Sequence, residues 1–338
     1  MRKLASIQRI KTLEPIENAE AIEKATVLGW QLVVKKNEFK PGDLCVYCEI
    51  DSLFPDKSEF EFLKPRGMRI RTIRLRGQIS QGICFPLTIL PAACGISEDA
   101  DVTEILGITK YEPPIPACLA GKVKGKFPSF IPKTDEVRIQ VLENILAIYK
   151  DEPCYVTEKI DGSSVTYYMN EGVFGVCSRN LELLEDDENS LWKVARAYKI
   201  EEKLLTMEGN YALQGEIMGE GIQSNKLKLR GQHVFFFNVF DISKREYLSF
   251  SDFEKFIAEM DLKTVPVIEK DYILSNSIEE LVKKSVRKSL IAPDVWAEGI
   301  VIRPLKEKSD FSKEAKDLFN GRVSFKVVNP EFLIKYGE

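Results

Sequence analysis

The sequence predicts an α+β protein in two parts: a small N-terminal β-barrel, then antiparallel sheets combined with helices. Three observations carry that expectation. Residues 1 to about 110 form short alternating segments punctuated by turn residues, as a small barrel requires. Residues 111–134 are rich in Pro, Gly and Lys, with Pro113, Pro114, Pro116, Pro128 and Pro132, which reads as a linker. From about 135 onward, helical and strand patterns are mixed. The expected boundaries are a barrel over 1–112, a linker over 113–132 and a second domain over 133–338. A chain of 338 residues is long for one core.

In the barrel, Gly29-Trp30-Gln31-Leu32-Val33-Val34 reads as a strand and Lys40-Pro41-Gly42-Asp43 as a turn. Leu44-Cys45-Val46-Tyr47-Cys48-Glu49-Ile50 reads as the next strand. Cys45 and Cys48 have metal-ligand spacing, but no second pair and no nearby histidine accompanies them. They read as two thiols of a strand. Arg66, Arg69, Arg71, Arg74 and Arg76 are interleaved with Ile70, Ile73 and Leu75. On a barrel strand they could follow a phosphate backbone, without reading sequence. The alternative is a solvated face paired with acids.

In the second domain, Val141, Ile145 and Ile148 share one helical face. Leu191, Val194, Ala195 and Tyr198 keep the i, i+3, i+4, i+7 spacing. Ser251-Asp252-Phe253-Glu254 and Ser277-Ile278-Glu279-Glu280 read as capping boxes that open two further helices. Val234 to Asp241 reads as a strand, and His233, the one histidine, as structural within it.

Hydrophobic residues make up 44% of the chain and charged residues 30%, as in soluble globular proteins. No apolar run approaches membrane-spanning length. Met1-Arg2-Lys3-Leu4 lacks the apolar core of a signal peptide. The seven cysteines are scattered and odd in number, so reduced thiols and a cytoplasmic location are expected. A net charge of −4 excludes a generally basic surface, so nucleic-acid binding would need local patches.

The most informative residues are Lys159-Ile160-Asp161-Gly162. A lysine attacks only as the free amine, and a neighbouring cation or a desolvated site lowers its pKa. Asp161, two residues on, points to the same side of a strand and could hold a divalent metal beside that amine. Gly162 lets the backbone turn closely past a nucleotide. Alone, the four residues also suit a surface turn. Downstream, in order, come Ser178-Arg179-Asn180, Gly215-Glu216-Ile217-Met218-Gly219, Phe240-Asp241, Glu298-Gly299-Ile300-Val301-Ile302-Arg303 and Ser324-Phe325-Lys326-Val327.

That ordered series resembles the covalent nucleotidyltransferase superfamily of ATP-dependent RNA ligases, DNA ligases and mRNA capping enzymes. The resemblance covers roughly residues 133–338. A barrel-like region precedes the catalytic part, and only Val328 to Glu338 follow Val327. This layout resembles the Deinococcus and Naegleria type of ATP-dependent RNA ligase, as do Glu38 to Tyr47 and Lys133 to Gln140. The implied fold is an OB-like β-barrel followed by a nucleotidyltransferase domain of ATP-grasp-like antiparallel sheets with helices.

The resemblance implies that Lys159 attacks ATP and carries AMP. Asp161, Glu216 and Glu298 would hold a hydrated Mn²⁺ or Mg²⁺. Lys326 would contact the α-phosphate, with Arg138 near the departing pyrophosphate. Glu158 would join the nucleotide-binding set, and Phe240 would stack on adenine. Arg179 would hold the ribose or the 5′-phosphate strand. The plain alternatives are surface acids, a strand-edge lysine, a core aromatic and a structural arginine. The chain departs from the Lys-x-Lys pattern that related RNA ligases often place in the last motif, because Ser324 and Val328 flank Lys326. The implied activity is the joining of 3′-OH and 5′-phosphate ends at nicks in duplex RNA, by a monomer. A DNA or mixed-strand ligase stays open, as does an OB-fold RNA-binding protein whose second domain is inactive.

Overall fold

The computed structural model describes residues 2–112 and 114–337. Met1, Pro113 and Glu338, each a limit of an expected segment, lie outside the described residues. The chain divides into two compact units, one of residues 1–113 with 330–338 and the other of residues 114–329. Among the described residues, no helix is long and apolar enough to cross a membrane.

In the first unit, β1 (Ala5–Pro15), β2 (Ile22–Val27), β3 (Trp30–Lys35) and β4 (Leu44–Cys48) appear where alternating apolar residues place them. In β3, Trp30, Leu32 and Val34 are buried and their neighbours are not, which is the two-residue period of a half-buried strand. After β5 (Ser52–Leu53) come β6 (Thr72–Leu75), β7 (Gln78–Gln81) and β8 (Ile83–Phe85). The first sheet has the order β3-β2-β1-β4-β8. β6 and β7 form a hairpin turned by Arg76 and Gly77, both at positive φ. β7 reaches back to β3, where the Val33 amide donates to Ser80 Oγ at 3.0 Å. The unit also holds α1 (Thr103–Leu106), β9 (Thr109–Lys110), which pairs with β5, and a helix over Pro330–Tyr336.

The expected arginine row breaks up. Arg74 alone of the five lies in a strand, and its guanidinium pairs with Glu331. Arg69 is buried, bonds Asp51 at 2.8 Å and lies 3.8 Å over the Tyr111 ring. A guanidinium so held is not presented to a phosphate backbone. Arg66, Arg71 and Arg76 are exposed. Cys45 and Cys48 are buried strand thiols, and Cys45 Sγ lies 3.4 Å from Cys84 Sγ.

The second unit begins with α2 (Ala117–Ala120) and β10 (Val123–Lys126). The stretch read as a linker therefore supplies a strand of the fold. Then follow β11 (Val137–Arg138), α3 (Glu143–Ile148), β12 (Pro153–Lys159), β13 (Ser163–Asn170), β14 (Val173–Cys177) and β15 (Leu181–Leu183). Next are α4 (Ser190–Ala197), α5 (Ile200–Leu205), β16 (Tyr211–Gly219), β17 (Gln232–Asp241), β18 (Glu246–Tyr247) and α6 (Phe250–Glu259). β19 (Val267–Ile273), α7 (Ile278–Ser285), β20 (Gly299–Pro304) and β21 (Phe325–Val328) complete it. A seven-stranded antiparallel sheet has the order β10-β15-β14-β13-β16-β17-β18. A five-stranded sheet has the order β11-β21-β20-β12-β19, parallel only at β11–β21.

Each sheet buries one face under helices. Val165, Tyr167, Leu213, Ile217, Val234 and Phe236 of the large sheet pack against apolar residues of α4, α5 and α6. Val156, Ile300, Ile302, Phe325 and Val327 of the small sheet pack with residues of α3 and α7. Side chains alternate along strands, so the opposite faces carry other residues, polar ones such as Gln214 and Arg303 beside an apolar cluster of Tyr168, Ala212 and Phe240. Those faces meet: Arg303 of β20 donates to the Phe237 carbonyl of β17 at 3.4 Å, and Arg322 donates to Asn238 Oδ1 at 3.1 Å. Ser277 caps α7 as expected. α6 is capped by Ser249, two residues before the expected box, because Ser249 Oγ reaches the Asp252 amide.

Candidate active site

The site forms where β12 ends and the chain turns into β13. Cys154 and Val156 point into the small-sheet core, so Thr157 and Lys159 face the opposite way. Lys159 pairs across the ladder with Gly299 of β20, which brings the preceding Glu298 alongside. Lys159 Nζ donates to Glu298 Oε2 at 2.6 Å. At Gly162 a Cβ would lie 2.3 Å from the Ile217 carbonyl oxygen and 2.9 Å from Glu216 Cγ. Glycine is therefore required there by the approach of the turn to β16, a reason the sequence alone did not suggest.

The result is an acidic ring around one amine. Burial disfavours the Lys159 ammonium, but Glu298, Glu216 and Asp161 outweigh it and hold the amine above the ordinary lysine value. The Glu216 carboxyl is pushed up to about 8, first by burial and then by Glu298 and Asp161, against the attraction of Lys159. A second ammonium enters from Lys226, which donates to Asp161 Oδ2 at 2.8 Å. Two ammonium groups thus face three acidic side chains. Among the described residues no three potential ligands are gathered tightly enough for a direct metal cage. The oxygen donors of Asp161, Glu216 and Glu298 do fit a hydrated Mg²⁺ or Mn²⁺.

Lys326 and Arg138 share the Lys159 side of the small sheet. Thr157 pairs with Val301, Val301 with Lys326, and Lys326 with Arg138, so the four form one row across it. Lys159 lies one pleat further along β12, on the same face. Arg179 sits at the turn between β14 and β15, exposed, with its guanidinium 2.5 Å from Asp135. The Glu158 side chain departs from the expected nucleotide contact. Its carboxylate accepts from Ser289 Oγ at 2.5 Å and from the Leu290 amide at 2.7 Å. It therefore holds the segment that leads into Glu298, and burial, more than these bonds, sets the direction of its pKa, which is raised.

Phe240, expected to stack on adenine, lies in an apolar cluster of the large sheet. It is 4% exposed and packs edge-on against Tyr247, with ring centroids 5.0 Å apart. A ring so enclosed has no free face for a base. Phe235, the cross-strand partner of Glu216, and Phe237 are less enclosed, both half-buried. A bulge in the β16–β17 ladder leaves Phe237 between the pairs Gly215–Phe236 and Gln214–Asn238, which re-aims its side chain. Beneath it, Arg303 donates to Ser324 Oγ at 2.9 Å and to Glu136 at 2.8 Å. Arg303 and Arg322 outweigh the burial that would raise the Glu136 carboxyl, and its pKa is lowered. Phe237 and Lys226 were not selected from the sequence. The Phe235-Phe236-Phe237 run looks like core, and nothing local marks Lys226 apart from Lys228.

The family described as RNA ligase matches residues 152–328, and a family described as an OB-fold domain matches residues 4–87. The solved Naegleria gruberi RNA ligase with PPi is 39% identical, at TM-score 0.89, covering 100% of this chain and 99% of that one. A lysine-to-alanine mutant of the same ligase with ATP and Mn is 38% identical, at TM-score 0.88, covering 98% of each chain. A glutamate-to-alanine mutant with AMP and Mn is 39% identical, at TM-score 0.88, again covering 98% of each. A comparison with curated proteins gave no match.

Proposed function

The chain belongs to the RNA ligase family, and from that premise we propose that it joins 3′-OH and 5′-phosphate RNA ends at the expense of ATP, through a lysyl-AMP intermediate. The observation that carries this reading is the Lys159 amine ringed by Glu298, Glu216 and Asp161, with Lys326 and Arg138 on the same sheet face.

The reaction runs in three transfers. Lys159 Nζ, after losing a proton, attacks the α-phosphorus of ATP; an N–P bond forms and pyrophosphate leaves. A 5′-phosphate oxygen of RNA then attacks the same phosphorus. The N–P bond breaks, the amine regains a proton, and a 5′–5′ pyrophosphate linkage results. A 3′-OH finally attacks the RNA phosphorus, loses its proton, and AMP departs. Asp161, Glu216 and Glu298 would hold Mn²⁺ or Mg²⁺ through water. When bound, the cation supplies positive charge that favours the free amine and offsets phosphate charge. Lys326 stabilises charge on the α-phosphate, and Arg138 stands beside the departing pyrophosphate. Phe237 offers its ring face to the adenine. Arg179, paired with Asp135 at the rim, receives the ribose or the RNA 5′ end.

We assign the substrate-gripping role to the N-terminal barrel, through the exposed Arg66, Arg71 and Arg76. The preferred substrate is a nick in duplex RNA, sealed by one copy of the chain. Incubation with α-labelled ATP or GTP, resolved on a denaturing gel, tests the reading. Label from ATP alone, absent in Lys159→Ala, is expected. Label from GTP, or label retained by Lys159→Ala, overturns it. A Lys159→Ala protein should still seal a pre-adenylylated strand weakly, since the last transfer needs no lysine attack.

A further inference from the structure

The segment between β16 and β17, residues 220–231, carries three basic side chains in alternation: Lys226, Lys228 and Arg230. Lys228 and Arg230 are exposed. Lys226 turns inward, with a side chain only 9% exposed, against an Asp161 side chain only 13% exposed. The segment is folded on itself. Asn225 Oδ1 accepts from the Leu229 amide at 3.0 Å while its Nδ2 donates to the Leu229 carbonyl at 2.9 Å. The Glu220 amide donates to the Gly231 carbonyl at 2.9 Å. From this closed loop, Gln223 and Lys226 reach the lysine-bearing turn, Gln223 Nε2 to the Gly162 carbonyl at 3.3 Å and Lys226 to Asp161 at 2.8 Å.

An ammonium so placed does what a divalent cation would do at the same carboxylate: it neutralises Asp161 and orients it. The two cannot both take that oxygen at close range. We propose that Lys226 is a positioning residue that acts as a built-in competitor for the divalent cation, so that cation binding releases the 220–231 loop from Asp161 and loop docking weakens cation binding. Linkage makes the effect reciprocal, because each competitor lowers the affinity of the other by the same factor. The inference rests on the proposed assignment of Asp161 to the cation. Lys226 then reports whether Lys159 stands in a charge-compensated resting site or in one loaded for attack.

The test is Mn²⁺ binding to the full chain without nucleotide, read from the electron paramagnetic resonance signal of free Mn²⁺. Lys226→Met should bind Mn²⁺ roughly tenfold tighter than wild type, the scale of one charge-assisted hydrogen bond surrendered to a competitor. Lys226→Gln keeps a donor without the charge, is better tolerated at a nearly buried position, and should also bind tighter. Lys226→Arg should stay near wild type. Lys228→Gln, on the same loop but exposed, should leave binding unchanged. Equal tightening by Lys228→Gln would mean general electrostatics rather than competition and would overturn the proposal. So would unchanged or weaker binding by Lys226→Gln. Asp161→Asn separates the two layers. If it weakens Mn²⁺ binding while Lys226→Gln changes nothing, the competitor role fails alone. If it changes nothing, the cation assignment fails and the competitor role with it.

Discussion

Removing the Glu136 carboxylate should destabilise the second unit and loosen its nucleotide face together. Glu136 meets Arg303 at 2.8 Å, with side chains only 12% and 3% exposed. Glu136→Gln leaves Arg303 with Ser324 Oγ and the Phe237 carbonyl but without its counter-charge. Stranding one member of a buried pair costs about 3–5 kcal/mol. For a unit of this size each kcal/mol moves Tm by about 2–4 °C, so a fall of about 6–20 °C is expected in a thermal melt. The pH dependence fixes the cause. Burial raises the Glu136 carboxyl, but Arg303 and Arg322 outweigh it and the folded-state pKa is lowered. A lowered carboxyl pKa contributes stability that is complete above the unfolded-state value and is lost as pH falls through the folded-state value. The Tm gap between wild type and Glu136→Gln should therefore be full at neutral pH and should narrow on acidification below the ordinary glutamate range. Since Arg303 also supports the Phe237 backbone, KM for ATP should rise in the variant. A Tm gap of the same size at pH 7 and in acid would refute the reasoning, because a mere packing defect does not titrate.

Three further outcomes are expected. Phe237→Ala should raise KM for ATP with little change in Tm, whereas Phe240→Ala should cost about 3–5 kcal/mol of stability by leaving a cavity; the reverse pattern in paired melts and ATP titrations would restore Phe240 as the base-stacking ring. Asp161→Ala, Glu216→Ala and Glu298→Ala should each slow AMP transfer to Lys159 by roughly 10² or more while circular dichroism stays native; unfolded variants would make these carboxylates structural. A protein truncated to begin at Pro114, which keeps β10 and its pairing with β15, should still label with AMP but lose nick sealing. Full sealing by the truncated protein would assign the N-terminal unit some other role.

Several features of this protein were legible without coordinates because they depend on short covalent spacing. Lys159 and Asp161 are two residues apart, so the short link from the end of β12 keeps them close. The motif order from Lys159 to Lys326 identified the family, and the alternation in Trp30, Leu32 and Val34 foretold β3. The Ser277 cap was visible for the same reason, since its partner lies three residues on.

What the tertiary structure alone decided depends on contacts between distant residues. A bulge set by the β16–β17 ladder leaves Phe237 outside the regular pairing, and past it Phe240 packs into an apolar cluster with Tyr168 and Ala212. A two-residue period cannot reveal where that period is broken. Lys226 reaches Asp161 across 65 residues of chain, and Arg69 is withdrawn from the surface by Asp51 and Tyr111. Local composition shows that such side chains are basic. Only folding decides which of them meets a carboxylate, because the partner and the loss of water around it both arise from chain that is remote in sequence.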